Sequence, residues 1–331
     1  MKNVLLLVLL TGCAVPAMPG GLAPSSREVR EAQKHGSWML PDAAKVKFLL
    51  YVSDASTHEV YVHDYSTGKK EGELAGFGYP TGQCVDAKGN VWIIDDYRDT
   101  SIVEFAHGGT APLKKLSVNA GAPGCSVAPN GDLAVSVYEA SGNGIDVFKK
   151  ASGKPKKYSS STCTAPWSPG YDLHGNLYVS DWENGVGNVV CELPARLHRF
   201  KNVKVTGIYG AFFDSSSVTW DGKYLALSSD NGPGDAIINQ MAESRSGDLT
   251  EVGYTELKEK CQGCYVSLPV PFIVGEKNPP VNDQQGTSVV GAVTMYANLI
   301  YVWKYPGGGR PVRKIANPPA RPYSEAVSIA P

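Results

Sequence analysis

Carboxylates recur in this chain at one kind of position, the end of a short apolar run. Asp54 closes Leu50-Tyr51-Val52-Ser53, Asp95 and Asp96 close Val91-Trp92-Ile93-Ile94, and Asp181 closes Leu177-Tyr178-Val179-Ser180. Asp230 follows Leu225-Ala226-Leu227-Ser228 after one further serine. Tyr97, Trp182 and Asn231 stand directly behind three of these acids. Grouped at one end of a fold, such acids can hold a divalent cation such as calcium through hard oxygen ligands. They can also draw a cationic or sugar ligand. A third use is internal: an Asp that caps its own turn by accepting a backbone N–H two residues on.

Cysteine supplies the second chemistry. Beyond Cys13 there are Cys84, Cys125, Cys163, Cys191, Cys261 and Cys264, an even set that in an exported chain reads as disulfides. Cys84 and Cys125 occupy nearly the same place in successive repeats, so a bond between them would tie neighbouring units. Cys261-Gln262-Gly263-Cys264 lacks further metal ligands nearby and lacks a βαβ context, which leaves a local structural disulfide. The six histidines are scattered, none pairing with another at metal-ligand spacing on a helix. His107-Gly108-Gly109 falls in an outer hairpin and reads as turn chemistry. No Gly-x-Ser-x-Gly elbow, Walker loop or His-Glu-x-x-His is present.

The elements that must carry these residues are short strands. Glycine (36), proline (23) and tyrosine (17) are plentiful, and short apolar runs bounded by Gly, Pro, Asn and Asp replace long amphipathic helices. Gly89-Asn90, Asn130-Gly131, Gly175-Asn176 and Asp221-Gly222 precede successive apolar runs, and their glycines lie 42, 44 and 47 residues apart. Such dipeptides suit tight hairpins, and the period is that of a four-stranded propeller blade. Pro80-Thr81-Gly82-Gln83-Cys84-Val85-Asp86-Ala87-Lys88-Gly89-Asn90-Val91-Trp92-Ile93 resembles an NHL repeat, and Tyr171 to Asp181 resembles it again. The likeness runs from about residue 46 to 331 and loses its period between Asn231 and Gly286. It implies an all-β propeller, and the 109 residues after Gly222, set against spacings of 42 to 47, give a six-bladed β-propeller, with seven blades as the alternative. The C-terminal Pro322-Tyr323-Ser324-Glu325-Ala326-Val327-Ser328-Ile329 lacks a following turn, and the chain from Phe48 lacks an inner partner. The two ends are expected to pair in the N-terminal blade and close the ring, leaving no open sheet edge.

The first residues describe an address. Met1-Lys2-Asn3 is a short basic start, and Val4 to Leu10 is an apolar run too short for a permanent span. Leu10-Thr11-Gly12-Cys13 resembles the bacterial lipobox, which implies a signal peptide over 1–12 and lipidation of Cys13. Residues 13–45, with Pro16, Pro19, Gly20, Gly21 and Pro24, read as a flexible tether, and 46–331 as the propeller domain. The location implied is the cell envelope, lipid-anchored and facing the periplasm or cell exterior.

Net charge is −1, and the densest basic group (Lys149, Lys150, Lys154, Lys156, Lys157) is broken by Ser, Gly and Pro, so nucleic acid is not a partner. A solvated hairpin face accounts for that group. Two functions remain. One is a membrane-tethered monomeric binding module or scaffold for a protein or glycan, with the acids and their neighbours on the ligand face and no firmly implied cofactor. The other follows from the family likeness, since similar propellers include lactonases and streptogramin lyases: a metal-dependent enzyme. The Glu, Asn, Asp or His set of those enzymes finds no residue-by-residue counterpart here.

Overall fold

A computed structural model describes residues 36–118, 121–138, 142–181, 189–210, 217–230, 235–258, 272–275, 287–293, 299–315 and 322–331. The described strands form six sheets. The first contains β1 (Trp38–Met39), β2 (Phe48–Asp54), β3 (Glu59–Asp64) and β4 (Lys70–Leu74). The second contains β5 (Pro80–Val85), β6 (Val91–Asp95), β7 (Ser101–Phe105) and β8 (Pro112–Ser117), and the third β9 (Cys125–Val127), β10 (Leu133–Val137), β11 (Gly144–Phe148) and β12 (Lys156–Tyr158). The fourth contains β13 (Pro166–Tyr171), β14 (Leu177–Asp181), β15 (Val190–Leu193) and β16 (Lys201–Val203). In the fifth, β17 (Val205–Thr206) lies parallel to the edge of β18 (Val218–Trp220), β19 (Leu225–Asp230), β20 (Asp235–Glu243) and β21 (Leu249–Lys258). The sixth contains β22 (Phe272–Val274), β23 (Ser288–Val293), β24 (Leu299–Lys304) and β25 (Arg313–Ile315), with its connections largely outside the described residues. No seventh sheet occurs among the described residues.

The repeat has a local cause. Asp86 Oδ1 accepts the amides of Lys88 (2.8 Å) and Asn90 (2.9 Å), and Asp172 Oδ1 accepts those of His174 and Asn176 (both 2.8 Å). Gly89 and Gly175 sit between them at φ +80° and +83°, where a side chain is strained. The Asp of the Val-Asp pair and the Gly of Gly-Asn are therefore two halves of one turn device. Strand alternation then buries both faces of each sheet. One hydrophobic cluster spans the first and second sheets (Leu49, Val62 with Val91, Ile93), and another the second and third (Trp92, Ile94 with Leu133, Phe148). The pattern continues through the third and fourth, fourth and fifth, and fifth and sixth sheets. The last cluster joins Ile300, Val302 and Ile315 of the sixth sheet to Leu50, Val52 and Val327 of the first. The sheets thus pack in a closed cycle, an all-β propeller. Inner strands approach so closely that a Cβ on Gly82 would meet the Pro123 carbonyl oxygen at 2.4 Å.

β26 (Pro322–Ile329) closes the cycle. It pairs antiparallel with β2, Phe48 opposite Ile329 and Val52 opposite Glu325, so the innermost strand of the first sheet comes from the other end of the chain. Cys84 and Cys125 are disulfide-bonded, linking the second sheet to the third. Cys163 and Cys191 form a second disulfide, fastening the segment ahead of β13 to β15 of the same sheet. Cys13, Cys261 and Cys264 lie outside the described residues.

Residues ahead of Phe48 also join the first sheet: Trp38–Met39 adds an outer strand to β4, and Ala43 is fully buried. A two-residue strand without periodicity offers no sequence signal. His107 is also more than turn chemistry. It is buried, with Nε2 2.7 Å from the Val46 carbonyl oxygen and Nδ1 2.7 Å from Ser328 Oγ, while Ser328 donates to the Gly89 carbonyl. The outer hairpin folds back onto the ring closure, bringing together residues far apart in the chain.

Candidate functional site

The ring has two rims. The second strands of the sheets end and the innermost strands begin on one, here the Asp rim. The tight Gly turns and outer hairpins open on the other, the turn rim.

On the Asp rim the repeated acids hold backbone. Asp54 is fully buried, and its Oδ1 accepts the Ser56 amide (2.7 Å), the Thr57 amide (3.1 Å) and the Ser56 hydroxyl (2.6 Å). Asp95 Oδ1 accepts the amides of Gly78 and Tyr79, both at 2.8 Å, and Asp181 Oδ2 accepts the Ala165 amide at 2.8 Å. These amides belong to the connectors that lead into β5 and β13. In the second and fourth sheets the carboxylate at the end of the second strand therefore fixes the entry of the innermost strand, whereas Asp54 caps its own loop. Burial pushes the Asp95 carboxyl above its ordinary range, and the Tyr79 and Gly78 amides pull it back. Asp96 accepts the Thr100 hydroxyl (3.0 Å); burial raises it too, the charge of Asp95 adds to the rise, and Thr100 and the Ala122 backbone oppose it. Tyr97 packs over Gly78 and carries the Arg98 guanidinium 5.1 Å from its ring centroid. Asp230 ends β19, its backbone opposite Ala236. Trp182 and Asn231 lie outside the described residues. Among the described residues, no group of three or more His, Cys, Asp or Glu is placed to hold a metal ion.

The sequence reading missed the aromatic collar on this rim. Tyr79 and Tyr323 meet edge to face at 6.4 Å, as do Tyr138 and Trp167. All four are half-buried, and the Tyr138 hydroxyl donates to the Ala165 carbonyl at 3.1 Å. Burial, and then the charges of Asp181 and Tyr323, pushes the Tyr138 phenol far up; burial, Tyr79 and Asp96 do the same for Tyr323. The collar therefore carries neutral phenols within electrostatic reach of Asp96 and Asp181. Its sequence signal is Pro166-Trp167-Ser168 and Pro322-Tyr323-Ser324, an aromatic one residue into the innermost strand. His58 is a second omission. It is buried at φ +65°, its Nδ1 has no hydrogen-bond partner among the described residues, and its ring lies within electrostatic reach of Asp95 in the neighbouring sheet.

No family model matches the chain, and no curated protein sequence matches it. Solved structures do match, 892 chains of them, so the architecture is too widely shared to carry a function with it. A chain of the nidogen/laminin complex superposes with a TM-score of 0.59 at 13% identity, covering 86% of this chain and 99% of that one. Kuenenia stuttgartiensis hydrazine synthase gives 0.52 at 16% identity, over 82% of this chain and 77% of that one. A streptogramin B lyase gives 0.45 at 18% identity, over 74% and 72%. At these identities the likeness is one of fold.

Proposed function

We propose that this chain is an extracytoplasmic β-propeller binding module that holds a protein partner on its Asp rim. In this reading each of the six sheets is one blade of an NHL-like ring, residues 1–12 are a signal peptide, and Cys13 carries the lipid that tethers the domain. The observation that carries the function is the division of labour on the rim. Asp54, Asp95 and Asp181 are engaged by backbone amides, while Tyr79, Tyr138, Trp167 and Tyr323 remain partly exposed. Aromatic residues of this kind dominate protein interfaces, because they bury large area at small entropic cost. With Asp96 and Asp181 in reach, a partner loop bearing Lys or Arg fits the collar by cation–π contact and charge. The nidogen/laminin chain belongs to a protein–protein complex, which fits this reading. Two disulfides suit an oxidising compartment, and no described helix is long and apolar enough to cross a membrane. The metal-dependent alternative would need several carboxylates or imidazoles turned to one point.

A photo-crosslinker at exposed Arg98 tests the proposal in the native envelope, with one at Lys154 on the turn rim as reference. A discrete adduct from position 98 that is lost on Tyr323→Ala is the expected result. Equal adducts from both positions, or none from either, would overturn it, as would metal-dependent turnover by the purified protein.

A further inference from the structure

The lysine-rich hairpin singled out in the sequence does more than face solvent. On the turn rim, between the third and fourth sheets, it borders a half-open cleft of about 460 Å³. Pockets of a few hundred Å³ hold small organic ligands. The floor is apolar and aromatic: Val147, Tyr158, Tyr171, Leu177 and Leu193 line it and belong to the cluster between the two sheets. The edge is basic, with Lys149 and the imidazoles of His174 and His198 lining it. Lys156 lies over the Tyr158 ring at 4.7 Å, adding positive charge to that wall.

Among the described residues one carboxylate, Asp132, lines the cleft, and it is already engaged. Its Oδ1 accepts the Lys150 amide at 2.8 Å and its Oδ2 the Asn130 side-chain amide at 3.1 Å. Burial, with Asp132 and Tyr158 adding, pushes the Tyr171 phenol well up, so it stays a neutral hydrogen-bond donor at the floor. The walls are held by the Gly131 and Gly175 turns, at φ +87° and +83°.

We propose that this cleft binds a small amphipathic anion, an aromatic carboxylate, with its ring between Tyr158 and Tyr171 and its carboxylate toward Lys149 and the two histidines. The complementarity is specific in both halves. A hydrophilic anion would leave the aromatic floor uncovered, and a neutral aromatic would leave the basic edge without a partner. The site is independent of the collar, which opens on the other rim.

Phenylpropionate is the probe, titrated calorimetrically into the full mature domain beside phenylpropionamide and propionate. Saturable binding of phenylpropionate is expected, with the amide and propionate each weaker by about tenfold or more, as loss of a charge-assisted contact or of ring burial requires. Lys149→Gln should weaken the carboxylate about fivefold and leave the amide unchanged. His198→Gln provides a second exposed variant in case the first disturbs the hairpin. Tyr323→Ala, on the Asp rim, should leave the titration unaltered, which separates this site from the partner-binding reading. Equal affinity for carboxylate and amide, no binding at millimolar probe, or indifference to both edge variants would overturn the proposal. Tighter binding of a peptide ending in Phe than of phenylpropionate would replace the free small molecule with a peptide terminus and so overturn it as well.

Discussion

The two rims of the ring hold charge in opposite ways. On the Asp rim, Asp54, Asp95 and Asp181 turn toward backbone amides of loops and connectors, and the surface left for a partner is aromatic. On the turn rim, Asp86 and Asp172 do similar work inside their own hairpins, and the residues left at the cleft edge are a lysine and two histidines. Residue type alone therefore does not mark a functional acid. A carboxylate beside unsatisfied amides becomes part of the fold, because a buried N–H without an acceptor costs about 1–3 kcal/mol. What remains available for recognition is whatever the backbone does not require.

The largest effect should come from the element that makes both rims continuous. Deleting residues 322–331 removes buried Ala326 and Val327 from the packing and exposes the inner edge of β2. A loss of about 5 kcal/mol or more is expected, since several buried apolar side chains are uncovered at once. A truncated protein that melts with the full-length chain would break the closed-ring topology on which the rims depend.

Asp95→Ala comes next. It strands the Gly78 and Tyr79 amides, so a cost of about 2–3 kcal/mol is expected in chemical denaturation. Asp181→Ala strands one such amide and should cost about half as much. Equal small effects, below about 0.5 kcal/mol for both, would mean that the acids are surplus to the fold.

Acid and base should distinguish the rims more gently. Glu59, at the start of β3 on the Asp rim, is pushed up to about 7 by burial and by the hydrogen bond and charge of Glu73. A raised carboxyl stabilises the fold below its unfolded pKa, and that contribution is lost as pH rises through about 7. His107, on the turn rim, is lowered by burial, against the opposing bond to Val46. Its contribution is present above the ordinary imidazole value of 6.5 and is lost as pH falls below it. Melting temperature against pH for Glu59→Gln should lose the decline on the alkaline side, and His107→Gln the decline on the acid side. Unchanged profiles in both variants would remove these groups from the account. The smallest effect belongs to Lys149→Gln, whose exposed side chain should change stability by less than about 0.5 kcal/mol.

What the sequence discloses follows from how local each device is. The Asp86–Gly89 and Asp172–Gly175 turns lie within five residues of chain, so their repeat reads directly and brings the fold with it. The Cys84–Cys125 bond and the β2–β26 seam could be anticipated because repeats put equivalent positions next to each other. The Cys163–Cys191 pairing, the docking of Trp38–Met39 and the His107 bridge rest on contacts without any repeat to index them. The turn-capping use was legible at Asp54, whose carboxylate takes the Ser56 amide two residues on, but the reach of Asp95 and Asp181 to the connectors was not. Asp95 meets amides 16 and 17 residues earlier in the chain, a relation that only the folded connector reveals.

The central claim is that the Asp95 and Asp181 carboxylates are held by the connectors into the innermost strands, and we propose that this use takes the place of cation binding. Calorimetric titration of the chelated protein with millimolar calcium, run on the wild type and on Asp95→Ala, tests it most directly. Neither protein should give binding heat, and the melting deficit of Asp95→Ala should be the same with calcium as with chelator. Saturable calcium heat in the wild type that disappears in Asp95→Ala, together with a calcium-dependent rise in wild-type melting temperature, would contradict it.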